Sequence, residues 1–189
     1  MGANDTLAGL DRDQLNECLE LYDVETYLFN QVSKRFEDDG TLEPFDFFAI
    51  VVWKSNRAKT KIKKGLEKAG KSVSELMTEV SQAVSLKDKV RILWDIEGIG
   101  LSVASAILTV CHPEVFTVLD YRVWEVLTKA AVQDLPTRSS WSPEDYLQYC
   151  EVCRRLADRM DLSLRDLDRA LWAKSWRDDL RALVQGSKT

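Results

Sequence analysis

Asp120 is the residue whose type and setting most readily suggest chemistry, because it follows an apolar run, Val115 to Leu119, and opens a helical pattern over Tyr121 to Ala130. An ionised carboxylate held there can stabilise positive charge developing on a neighbouring carbon or orient a water for attack on it. It can equally cap the helix, since aspartate is a favoured N-cap residue, and the two roles are compatible. Twenty residues upstream the sequence Ile96-Glu97-Gly98-Ile99-Gly100 separates two apolar helical patterns, Leu86 to Asp95 and Leu101 to Cys111. Its glycines allow a tight turn. The amides of Gly98, Ile99, Gly100, Leu101 and Ser102 then point outward at a helix start, where free N–H groups and the helix dipole suit an anionic oxygen such as phosphate.

These features in register resemble the helix-hairpin-helix DNA glycosylase superfamily. The resemblance rests on the Gly-Ile-Gly turn, the small residues Ala104, Ser105 and Ala106 in the following helix, and Leu119-Asp120-Tyr121-Arg122-Val123 downstream. It implies an all-α fold with two helical lobes flanking a cleft, about 1–40 and 140–189 forming one lobe and about 41–139 the hairpin-containing lobe. It further implies removal of a damaged or mismatched base flipped from duplex DNA, with Asp120 as the catalytic carboxylate, and a monovalent cation held by backbone carbonyls of the 96–100 hairpin. Glu97 stands where the superfamily has proline, and Ser102 where its strand-cleaving members carry a lysine. A serine cannot form the imine that a lysine forms with the sugar. The resemblance therefore implies a monofunctional enzyme that uses water.

Some members also hold an iron-sulfur cluster on four cysteines. Here Cys150 and Cys153 are a C-x-x-C pair without the two further neighbours, because Cys18 and Cys111 lie far upstream, so no cluster and no other cofactor is expected. One histidine, His112, excludes a histidine-rich metal centre.

The basic residues are unevenly spread. Lys54, Arg57, Lys59, Lys61, Lys63, Lys64, Lys68 and Lys71 follow one another with Glu67 the one acid among them, in a chain of net charge −5. A globally acidic protein binds nucleic acid through such a concentration, although a solvated helix face gives the same pattern. Trp53, Trp94, Asp168 and Trp172 are candidates for a base pocket by residue type alone.

The elements that must carry these residues are helices, since the apolar stretches are long and do not alternate. Helices are expected over Asp11 to Tyr22 and Val24 to Arg35, with Leu15, Leu19, Tyr27, Leu28 and Val32 inward. Glu43 to Trp53, with Phe45, Phe47, Phe48, Ile50, Val51 and Val52, reads as central core. Ser72, Ser85, Ser142 and Ser163 read as helix starts, the last helix burying Leu167, Leu171 and Trp172. A loop is expected over Leu135 to Ser142, and fraying after Leu183. No apolar run approaches a membrane span and Met1 to Leu10 lacks a leader pattern, so a monomeric intracellular protein is expected. Two other readings fit the same residues: a helix-hairpin-helix DNA-binding protein without catalysis, and a helical interaction protein whose glycine turn is merely structural.

Overall fold

Helix α8 (Leu101–Cys111) is the element the others surround: every residue in it except Ser102 is buried. Ala104, Ser105 and Ala106 are fully enclosed, and their small side chains let neighbouring helices approach closely. In the computed structural model, which describes residues 11–137 and 141–186, the chain forms helices and no strand among those residues.

Before α8 come α1 (Arg12–Tyr22), α2 (Val24–Tyr27), α3 (Ser33–Asp39), α4 (Pro44–Ser55), α5 (Lys59–Ala69), α6 (Val73–Gln82) and α7 (Leu86–Trp94). After it come α9 (Tyr121–Lys129), α10 (Pro143–Arg159) and α11 (Leu164–Gln185). A π-helical segment, Leu28–Val32, joins α2 to α3, so the expected single helix from Val24 continues to Asp39. Helix α8 packs on α4, α7 and α3, while α11 packs on α9 and α10. No helix among the described residues is long and apolar enough to cross a membrane.

The helix starts follow local chemistry. Asp11, Ser72 and Ser142 form reciprocal capping boxes with Gln14, Glu75 and Asp145, and Ser85 and Ser163 cap α7 and α11. Pro44 and Pro143 occupy first-turn positions, where the missing N–H costs nothing.

Three expectations need correction. Helix α1 buries no residue: Leu15 is only half-covered and Leu19 is exposed. In α4, Phe47, Ile50 and Val51 are buried but Phe45 and Val52 are exposed, as helical periodicity turns two apolar positions outward. Helix α11 continues through Gln185, and Trp172 on it is exposed rather than core. Within the expected 135–142 loop, Ser139 and Ser140 lie outside the described residues, as do Met1 to Leu10 and the tail beyond Gly186.

The turn between α7 and α8 is locked onto α5 by close backbone contact. A methyl group placed on Gly65 of α5 would stand 1.9 Å from the Glu97 carbonyl oxygen. A methyl group placed on Gly98, whose φ is +99°, would stand 2.9 Å from the backbone of Lys61 and Ile62. The basic helix and the glycine turn are thus a single packed unit. Gly65→Ala is predicted to lower stability by about 1–3 kcal/mol through overpacking. Gly100→Ser, at an ordinary φ and with open space around it, is predicted to stay within about 0.5 kcal/mol of the parent. Urea melts of the two variants check both.

Candidate active site

Asp120 reaches its place through an irregular segment, Val115 to Leu119, that is largely buried and yet makes no helix. Buried backbone groups outside regular structure need partners. The Leu119 amide donates to Ser105 Oγ (2.8 Å), Tyr146 Oη donates to the Thr117 carbonyl (2.9 Å), and Arg154 donates to the Val115 carbonyl (3.1 Å). Ser105 Oγ donates in turn to the Ser102 carbonyl (2.8 Å), which ties the Asp120 segment to the first turn of α8. Small polar Ser105 therefore both permits close packing and fixes the strap.

At the end of this strap both carboxylate oxygens of Asp120 are engaged. Oδ1 accepts the Arg122 amide at 2.9 Å, capping α9, and Oδ2 accepts a hydrogen from Lys54 Nζ at 2.8 Å. Asp120 thus caps α9 and pairs with Lys54 through different oxygens. The side chains of Lys54 and Asp120 are 12% and 24% exposed, which keeps this ion pair from being a freely solvated surface contact.

The pair lines a cavity of about 560 Å³, in the size range of small-molecule sites. Trp53, Lys54, Val118 and Asp120 come to it from the middle of the chain, and Glu25, Arg165, Asp168, Arg169, Trp172 and Ala173 from near its two ends. Of the proposed base-pocket residues, Trp53, Asp168 and Trp172 are thus brought together with Asp120. Trp94 is not: it sits exposed at the end of α7, because α7 directs its buried face, Val90 and Leu93, to the core. Lys54, grouped with the basic tract in the sequence, turns into the cavity instead of outward. Arg57, Lys59 and Lys61 remain exposed, as do Gly100 and Ser102 at the turn, whereas Ile99 and Leu101 are buried anchors of it and Gly98 is intermediate.

Sequence reasoning missed Arg165, Arg169 and Glu25. Arg165 pairs with Glu25 (2.9 Å) and with Asp168, and its guanidinium lies over the rings of Phe29 and Trp53 at 4.7 and 5.3 Å. The signal for Arg165 was present, since residues 165, 168, 169 and 172 share one face of a helix. Glu25 lies 140 residues from Arg165 in the chain and gave no such signal.

Burial raises the Asp168 carboxyl to about 6, although Arg165 and Lys54 work the other way. Cys150 and Cys153 lie in the core face of α10, and burial pushes the Cys150 thiol up to about 11. At the turn, the Ile96 and Gly100 carbonyls accept amide hydrogens from Ile99 and from Val103 and Ala104, and the Glu97 carbonyl abuts Gly65.

The raised Asp168 value has a consequence for folding. Its folded value lies above the ordinary 3.8, so between those limits the native state holds more protons than the unfolded one and stability falls as pH rises. The full effect from pH 3.8 to 6 is at most about 3 kcal/mol. Asp168→Asn is predicted to remove this component, so its stability relative to the parent rises by up to that amount between pH 4 and 7. Urea melts of both proteins across that range check it.

No curated protein and no solved structure gives a significant match to this chain. A family model described as "Putative 8-oxoguanine DNA glycosylase OGG-like protein" matches residues 30–172, which include Trp53, Lys54, Asp120, Arg165, Asp168 and Trp172. The chain belongs to this DNA glycosylase-related family.

Proposed function

We propose that the protein is a base-excision DNA glycosylase that hydrolyses the N-glycosidic bond of a damaged base extruded from duplex DNA. The observation that carries this reading is the strapped Asp120 carboxylate, facing a cavity that also holds Trp53, Trp172 and Asp168. The family description supports 8-oxoguanine as the first substrate to try.

Extrusion is required because the glycosidic carbon is shielded within the base stack. The cavity receives the base, with the indoles of Trp53 and Trp172 available for stacking and Asp168 for hydrogen bonding. Asp120, beside the sugar, stabilises positive charge as the C1′–N bond breaks. The uncapped first turn of α8 and exposed Lys61, Lys63 and Lys64 on the adjoining helix α5 offer positive groups to the phosphates. Gly65 and Gly98 make these two surfaces contiguous. On this reading the cavity is a cleft between two lobes, about 1–40 with 140–189 and about 41–139. Ser102 offers a hydroxyl and no amine, so the turn itself adds no strand-cleaving step.

Free base released from duplexes carrying 8-oxoguanine opposite each of the four bases, measured by chromatography, tests the reading. Asp120→Asn is predicted to lower release by about 10²–10³-fold, while its amide oxygen can still cap α9. Unchanged release in that variant would remove Asp120 from the mechanism. Salt-sensitive duplex binding with no release from a wide panel of lesions would favour the non-catalytic DNA-binding alternative. For the interface, Lys61→Ala is predicted to reduce the slope of log affinity against log salt by about 1. Fluorescence anisotropy at several salt concentrations measures it.

A further inference from the structure

Two helices carry apolar faces that the described residues leave largely open. Helix α1 buries no residue, although Leu15, Cys18, Leu19 and Tyr22 stand at the i, i+3, i+4 and i+7 positions of one stripe. Leu15 is half-covered, Leu19 is 69% exposed and Tyr22 91%. Helix α11 buries nothing after Ser175, and its remaining turns carry Trp176, Leu180, Leu183 and Val184 in a second exposed stripe. Trp176, Leu180 and Val184 line a groove of about 280 Å³ there. A helix as short as α1 is marginal in water by itself, because helices in proteins draw most of their stability from packing an apolar face.

The charges that accompany the two stripes are opposite. Helix α1 carries Asp13, Glu17 and Glu20 against one base, Arg12. In the exposed part of α11, Asp178 and Asp179 are bound to Lys174 and to Arg122, so the groove takes its charge from Arg177 and Arg181, which line it. Arg177 also touches Asp178, at 3.6 Å. Both faces are open in the same chain, so they do not meet within it. Pairing α1 with α1 would set acid against acid, and pairing α11 with α11 would set base against base, which disfavours both. The complementary pairing is α1 with α11.

We infer that the protein forms a two-fold dimer, in place of the monomer expected from the sequence, in which α1 of each copy lies along the α11 groove of the other. Leu15, Leu19 and Tyr22 of one copy cover Trp176, Leu180 and Val184 of the second, and the acidic helix stands beside Arg177 and Arg181. The lengths match, since α1 has 11 residues and the stretch from Trp176 to Gln185 spans about 15 Å at the rise of an α-helix. In a two-fold arrangement each contact is made twice. The apolar surface removed from water therefore doubles, while the freedom lost on association is lost once.

Sedimentation velocity of the full chain over a concentration series tests the inference. The parent protein is expected to move to a species of twice the 21.6 kDa chain mass as concentration rises. Leu19→Lys and Leu180→Glu, both at exposed positions, are each expected to keep parental helicity by circular dichroism and to weaken association by roughly tenfold or more. An equimolar mixture of the two is expected to recover the dimer, because one contact stays apolar and the other sets the new lysine beside the new glutamate. Tyr22→Lys and Trp176→Glu repeat the test at the same stripes if either first variant loses helicity. Parent protein of monomer mass at every concentration overturns the inference, as does a variant that associates as tightly as the parent or a mixture that stays monomeric. Species larger than a dimer overturn the two-fold closure.

Discussion

The site depends on one constraint: a largely buried segment, Val115 to Leu119, that is itself outside any helix must have its peptide groups satisfied by its neighbours. Ser105 from α8 and Tyr146 and Arg154 from α10 supply such partners. The strap's end is therefore fixed relative to α8, and Asp120 is fixed with it. In the proposed function such support matters, because small displacements of a catalytic group cost large factors in rate.

Around Asp120 the cavity balances opposite charges instead of excluding them. Lys54, Arg165 and Arg169 face Asp120, Asp168 and Glu25. Arg165 is the centre of this set, paired with Glu25 and Asp168 and stacked over Phe29 and Trp53. Phe29 lies in the π-helical segment between α2 and α3, a departure from α geometry that is frequent beside functional sites. A chain with net charge −5 thereby keeps the Asp120 carboxylate beside a lysine, while a separate run of lysines on α5 faces outward next to the glycine turn.

Much of this was legible in the sequence where one residue dictates local geometry. Ser72, Ser85, Ser142 and Ser163 capped their helices as their types required, and the α7 and α8 boundaries followed from the apolar spacing and Gly98 to Gly100. Asp120, Trp53, Asp168 and Trp172 were named from type and motif and share one cavity. Trp94 was named on the same grounds and lies outside it, because residue type says nothing about which helix face turns to the cavity. Lys54 was read by its neighbours as part of a basic surface; its pairing with a residue 66 positions away is a tertiary fact. Glu25 and Arg165 meet for the same reason. Leu19 and Phe45 show the limit of hydrophobicity as a guide, since apolar residues also populate exposed faces.

The location of the chemistry is tested most directly by the crystal structure of Asp120→Asn bound to a duplex carrying one 8-oxoguanine. The account predicts the lesion flipped into the cavity between Trp53 and Trp172, with C1′ about 3–3.5 Å from the side chain at position 120. A duplex seated away from this cavity, or an extruded base lodged at another face with Asp120 distant from the sugar, would contradict it.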